Sequence, residues 1–164
     1  MRPHQLLIVG SGDVAVALES ISMALGWDPV IVTSYDDVTS RLPGTESIVV
    51  LSHDEDVDGP ALAAALRSEA SYIGAMGSRR TQARRREWLL GNGVSAELAD
   101  SIRGPAGLDI GAVTPAEIAV AIVAEIVAVR RDTVAAGSIS DRSGPIHPNA
   151  APGTSECPGE NVAR

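Results

Sequence analysis

The chain has no lysine and no phenylalanine, and only two tryptophans, two tyrosines and one cysteine among its 164 residues. With aromatics at 2% against 45% hydrophobic residues, the core must be built from Ala, Val, Ile and Leu. Such side chains suit helices packed tightly on a parallel sheet. The lone cysteine, Cys157, cannot form an internal disulfide, and no CxxC or Cys/His spacing offers a zinc site. Acidic residues outnumber basic ones, leaving a net charge of −8 that would repel a phosphate backbone, so general nucleic-acid binding is not expected. Also missing is any run of 18 apolar residues; the longest apolar stretch, Ile118–Val129, is broken by Glu125. The N-terminus lacks a basic region followed by a long apolar segment, so neither a secretion signal nor a membrane span is expected, and cytoplasmic is the expected location.

What is present is a chain of one-domain size with strands and helices in alternation. Gln5–Val9 is a short apolar run ending at glycine, and Asp13–Gly26 carries Val14, Leu18, Ile21 and Leu25 at helical spacing. Further strands are expected at Val30–Thr33, Ser47–Ser52 and Ser71–Ala75. Further helices are expected at Gly59–Ala70, opened by Pro60, at about Arg79–Gly91 and at about Ala96–Ile102. Thr114-Pro115-Ala116-Glu117 has the form of a capping box with proline at the first helical position. It opens a long helix, apolar around most of its circumference, that runs to about Arg131 and must be buried in the domain or in a dimer interface. From Ala135 onward Gly, Pro, Ser and Asn dominate without periodicity. The expectation is a Rossmann-like α/β domain over residues 1–134, doubly wound around a mostly parallel sheet, and a disordered tail over 135–164.

Four loops carry chemistry. Gly10-Ser11-Gly12-Asp13-Val14-Ala15 fits G-x-G-x-x-[GA] after a strand and opening a helix, the context in which a helix N-terminus receives a phosphate. Asp13 suits the helix dipole there but repels pyrophosphate, and Val32-Thr33-Ser34 ends the second strand without an acid for a ribose hydroxyl. Ser52-His53-Asp54-Glu55-Asp56-Val57-Asp58 follows the third strand. His53 and Asp54 either orient a ligand or relay a proton, or the acids here only cap the next helix, a role favoured for Asp56 and Asp58. Gly77-Ser78-Arg79 is a second glycine turn: Ser78 caps a helix whose N–H groups, with Arg79, face an anion. Arg84, Arg85 and Arg86 read as solvated side chains pairing with surface acids. In Gly107-Leu108-Asp109-Ile110-Gly111, Asp109 has the setting of a buried acid that either binds donors on a ligand or accepts backbone N–H groups. Glu117 is explained by its cap, whereas Glu125 faces a partner or the pocket.

Taken together, GSGDVA (Gly10–Ala15), SHDEDVD (Ser52–Asp58), YIGAMGSRR (Tyr72–Arg80) and GLDIGAVTPAEIAVAIVAEIVAVR (Gly107–Arg130) resemble the Rossmann-type C-terminal domain of the XdhC/CoxI family. These are accessory proteins of xanthine dehydrogenase and carbon monoxide dehydrogenase, and the resemblance covers about residues 5–131. It implies a nucleotide-binding fold in proteins that bind the molybdenum cofactor (molybdopterin), protect it, assist its sulfuration and deliver it to the apo-enzyme. The pocket it implies comprises Gly10, Ser11, Gly12, Asp13, His53, Asp54, Gly77, Ser78, Arg79 and Asp109, with no catalytic residue and no metal ligand. Where the family's glycine turn usually continues with histidine this chain has Asp13, and where its second strand usually ends in aspartate it has Thr33-Ser34. Full-length members also carry an N-terminal domain with a cysteine linked to cofactor handling. The expected partners are therefore a molybdenum hydroxylase apo-enzyme or a chain supplying that domain. Two other readings stand beside this one: an NAD(P)-dependent oxidoreductase with its nicotinamide near His53, and a non-catalytic module that dimerises through the long apolar helix.

Overall fold

The structure, a computed structural model, describes residues 2–133 and Gly137, so the tail expected from Ala135 lies, Gly137 apart, outside the described residues. In chain order the elements are β1 (Gln5–Val9), α1 (Asp13–Ala24), β2 (Asp28–Val32), α2 (Tyr35–Arg41), β3 (Ser47–Val50), α3 (Glu55–Leu66), β4 (Tyr72–Ala75), α4 (Arg79–Gly91), α5 (Ala96–Asp100) and α6 (Pro115–Arg130). The strands form one sheet in the order β2-β1-β3-β4, with every neighbouring pair parallel. The chain leaves β1 towards one side and returns to the other, so a doubly wound sheet results with its switch point between β1 and β3.

Strand alternation divides the core into two layers. Leu7, Val9, Ile48 and Val50 pack under α2, α3, α4 and α5, whereas Leu6, Ile8, Val49 and Leu51 pack under α1 and α6. Small side chains permit close approach, as the composition requires. Gly59, inside α3, lies against the Trp88 ring of α4, where an added Cβ would sit 2.6 Å from ring carbons.

Two elements differ from expectation, and one bears it out. The helix α2 has no apolar periodicity; it rests on one buried residue, Val38, and on Ser34, whose side chain accepts from the Asp37 N–H. The helix α3 begins at Glu55, capped by Asp54, so Pro60 lies in its interior rather than at its start. The caps favoured at Asp56 and Asp58 are corrected with it: the helix has already begun at both residues, and Asp58 is buried. In α6 the capping box is present, Thr114 accepting from the Glu117 N–H and Glu117 from the Thr114 N–H.

At the amino end of the sheet His4 is buried between elements. Its Nε2 lies 2.9 Å from Ser47 Oγ, and its ring meets Trp27 edge-on at 4.7 Å. Its Nδ1 is 3.3 Å from a Glu46 carboxylate oxygen but off hydrogen-bond alignment. Burial, then the Arg130 cation, hold the imidazole below its ordinary range, against the opposing pull of Glu46. The unfolded chain therefore binds the proton more readily than the native one, and stability rises with pH across this window. Unfolding midpoints in urea are expected to hold above pH ~6.5 and to fall as the pH drops below it, and a His4→Asn variant should flatten the fall between pH ~7 and ~5.

Candidate functional site

The carboxyl ends of β1, β3 and β4 open onto one edge of the sheet, and each is followed by one of the loops singled out above. Gly10 closes β1 at φ 123° and donates its N–H to Val32 O at 2.8 Å. A Cβ there would lie 2.6 Å from Ser52 N, so glycine is required for the β1 and β3 turns to cross. Gly12, at φ 106°, is the N-cap of α1 and has open space where a side chain would be. No side chain caps α1. Its first backbone N–H groups, flanked by exposed Ser11 and Asp13, are open to an anion.

After β3, Leu51 N and Ser52 N both donate to Val9 O, at 2.7 and 3.0 Å. Ser52 Oγ accepts from the Asp54 N–H, and an Asp54 oxygen accepts from the Asp56 N–H, so Asp54 is engaged as a cap. His53 is exposed on the turn between them. After β4, Ser78 accepts from the Thr81 N–H at 3.2 Å and so caps α4. Arg79 is exposed at the first position of that helix and makes no ion pair among the described residues.

Arg85, expected among the solvated arginines, is instead 6% exposed. Its Nε and Nη2 donate to one Asp58 oxygen at 3.2 and 2.7 Å, while Nη2 also donates to Ser52 O at 3.0 Å and Nη1 to Met76 O at 2.6 Å. One guanidinium thus ties the loop after β3 to the loop after β4. Its neighbours behave as expected of surface arginines, Arg84 pairing with Glu55 and Arg86 with Asp100.

Beside β4, the segment from Arg103 adds a single parallel bridge to Gly74 and then folds over the sheet edge. Glu125 explains how it is held. One carboxylate oxygen accepts from the Tyr72 hydroxyl at 2.7 Å and from the Gly107 N–H at 2.9 Å, and the other lies 3.7 Å from Arg103. Burial and then this hydrogen bond raise the Tyr72 pKa, so the phenol stays a donor. Gly107 presses on α6, where its Cβ would lie 3.1 Å from that of Ala121. The loop encloses a cleft of about 370 Å³ that includes Met76, Gly77, Leu108, Asp109 and Ile110 in its lining. Asp109 and Gly77 therefore meet in one cleft. Asp109, however, is exposed rather than buried, because Glu125 already satisfies the loop backbone from below. Among the described residues no three His, Cys, Asp or Glu side chains gather as a metal site.

Residues 6–126 match the family model described as the XdhC Rossmann domain. The chain belongs to this family. It is 32% identical over 127 residues to the molybdenum cofactor insertion chaperone PaoD of Escherichia coli (strain K12), covering 77% of this chain and 40% of PaoD. It is 28% identical over 170 residues to the uncharacterized protein YqeB of the same organism, covering 91% of this chain and 30% of YqeB. A crystal structure described as a xanthine dehydrogenase from Bacillus halodurans superposes with a TM-score of 0.65 at 23% identity, over 79% of this chain and 45% of that one, a likeness of fold. The chain thus spans less than half the length of each of these relatives.

Arg85→Ala leaves Asp58 charged and buried without its partner, and is expected to lower the unfolding free energy by about 3–5 kcal/mol, far more than Arg86→Ala, as read from urea denaturation. Glu125→Ala orphans the Gly107 N–H, and hydrogen exchange at that amide should accelerate by about tenfold or more.

Proposed function

We propose that this XdhC-family domain is an accessory module for maturation of a molybdenum hydroxylase of the xanthine or carbon monoxide dehydrogenase type. It binds the molybdenum cofactor, or a nucleotide form of it, as cargo. The observation that carries this reading is the start of α1: a glycine N-cap at φ 106°, with no side-chain cap, beside the switch point of the sheet. A phosphate placed there meets backbone N–H groups and the positive end of the helix dipole, with Arg79 as a second cation on the same edge. The cleft under residues 105–112 offers apolar walls to a planar ring, with Asp109 and backbone groups at its rim to accept from ring N–H donors. The kinship with PaoD supports cofactor delivery over other uses of the fold. The chain's own residues bind and orient; the reading assigns them no bond-making step.

The partners follow from the same reading. They are the apo-form of a molybdenum hydroxylase, or a chain carrying the other domain found in longer family members. The NAD(P)-dependent oxidoreductase gains no support at β2, which ends at Val32 without an acid; Asp37 lies inside α2, where one of its oxygens accepts from the Ser34 hydroxyl at 2.6 Å.

Native mass spectrometry of protein purified anaerobically from a host that makes the molybdenum cofactor tests the proposal. A retained molybdopterin mass is expected, with affinity about tenfold weaker in Arg79→Ala, whose exposed side chain makes no ion pair among the described residues. Gly12→Ala should weaken binding further by straining the turn at positive φ. Retention of a nicotinamide dinucleotide would replace the reading with the oxidoreductase. Failure of both retention and added cofactor to show binding would overturn cofactor carriage.

A further inference from the structure

The cleft beside β4 contains polar groups for which the fold supplies no partner. Of the residues that line it, Asp109 alone has a side chain ending in polar oxygens; the rest of the wall is glycine, proline and apolar side chains, among them Met76, Leu108 and Ile118. The exposed Asp109 carboxylate makes no hydrogen bond and no ion pair among the described residues. Nor is it needed to hold the segment that carries it. Glu125 accepts from the Gly107 N–H at 2.9 Å at one end, and Glu117 from the Val113 and Thr114 N–H groups at 2.9 and 2.8 Å at the other.

The backbone of the cleft is also incompletely used. The N–H groups of Leu108 and Ile110 donate to Ala121 O and Leu108 O, at 3.1 and 2.9 Å. Those of Asp109, Gly111 and Ala112 have no acceptor among the described residues, and neither does that of Gly77 in the loop after β4. The cleft therefore presents one carboxylate that only accepts and a set of amides that only donate.

A ligand that satisfies both offers N–H groups to Asp109 and an oxygen to the amides around it. The two oxygens of a carboxylate are matched best by two adjacent N–H donors, such as a ring N–H and a neighbouring amino group. We infer that the cleft selects a heterocycle on whose edge a ring N–H stands between an amino group and a carbonyl, as in pterin and guanine, and that Asp109 is the residue that sets this specificity. Placing a cargo ring in the cleft rests on the cofactor reading above; the choice among rings rests on Asp109 and the free amides. Adenine sets an acceptor nitrogen beside its amino group, which the carboxylate repels. Nicotinamide offers one amide group and a flavin one ring N–H between two carbonyls, so neither pairs twice with Asp109. The apolar walls meet the ring faces, and a volume of about 370 Å³ falls at the lower end of small-molecule sites, which suits one bicyclic ring better than a whole dinucleotide.

Ligand-observed NMR on the full chain, with free pterin, guanosine, inosine and adenosine as probes up to about 5 mM, tests the assignment. Pterin and guanosine are expected to bind with a Kd of about 0.1–1 mM, as befits a ring without its phosphate. Inosine, which lacks the amino group, should bind about tenfold more weakly than guanosine, and adenosine not at all. Asp109→Asn, at an exposed site, should keep its melting temperature, weaken pterin and guanosine by about tenfold or more, and bring guanosine to the level of inosine. A structural role for Asp109 would not move that preference. Whichever of pterin and guanosine binds more tightly tells whether the edge belongs to a pterin cofactor or to a guanine nucleotide. Failure of both to bind, adenosine or inosine binding as well as guanosine, or an unchanged preference in Asp109→Asn would each overturn the assignment. Molybdopterin retained by a chain that binds no probe would leave cofactor carriage standing with its ring elsewhere, and probes bound by a chain that retains no cofactor would leave the ring site standing without carriage.

Discussion

The carboxyl edge of the sheet depends on one buried guanidinium. Parallel strands end in loops that have no hairpin partner, so something other than the ladder must fix them relative to one another. Arg85 does so by directing its fork at three targets: the Asp58 carboxylate, Ser52 O and Met76 O. A lysine, a compact charge without a planar fork, would not span all three. The burial is unfavourable in itself and is offset only because the carboxylate travels with it; Asp58 lies in the first turn of α3 and Arg85 sits on α4, so the pair also locks those helices together. One Asp58 oxygen remains buried with no partner, which makes this pair a rigidifying device at the site more than a source of stability.

Glu125 plays the corresponding part on the other layer. It is the only charged residue within the apolar stretch of α6, and it is turned from solvent towards Tyr72, Gly107 and Arg103. Together the two charged groups hold three loops at the carboxyl edge from beneath. The groups above them, Gly12, Ser11, His53, Arg79 and Asp109, are left exposed and free of structural duty, apart from the backbone of the turns. That division is what a binding edge needs: a rigid floor and unengaged donors.

Much of this was legible in the sequence, and what was not has a common cause. The strands β1, β3 and β4 were visible because short buried runs end close to glycine or serine, and α6 because its capping box is local. The family could be read from four motifs, since their spacing encodes loops that the fold holds at one edge. The short α2 was invisible because one buried valine and one cap carry it. The roles of Arg85, Asp58 and Glu125 were hidden because their partners lie far along the chain: 27 residues separate Arg85 from Asp58, and 53 separate Glu125 from Tyr72. Composition placed five arginines close together in α4; only the path of α3, which begins at Glu55 well before its proline, decides which one is buried. The misplacement of Asp109 follows in the same way, because the carboxylate that satisfies the 107 loop comes from α6 and not from within the loop.

Charge at the edge bears on the carrier reading proposed above. The α1 and α4 N-termini and Arg79 attract an anion, while Asp13, at the first position of α1, and the exposed Asp109 repel it. The whole chain, at a net charge of −8, repels it further at long range. An enzyme that retains a phosphate-bearing cofactor gains from removing such acids. A carrier does not, because cargo held by a few backbone donors against opposing charge dissociates on contact with a more cationic acceptor. On the carrier reading proposed above, Asp13 would favour release, while the helix N-terminus beside it would supply the short-range attraction for capture.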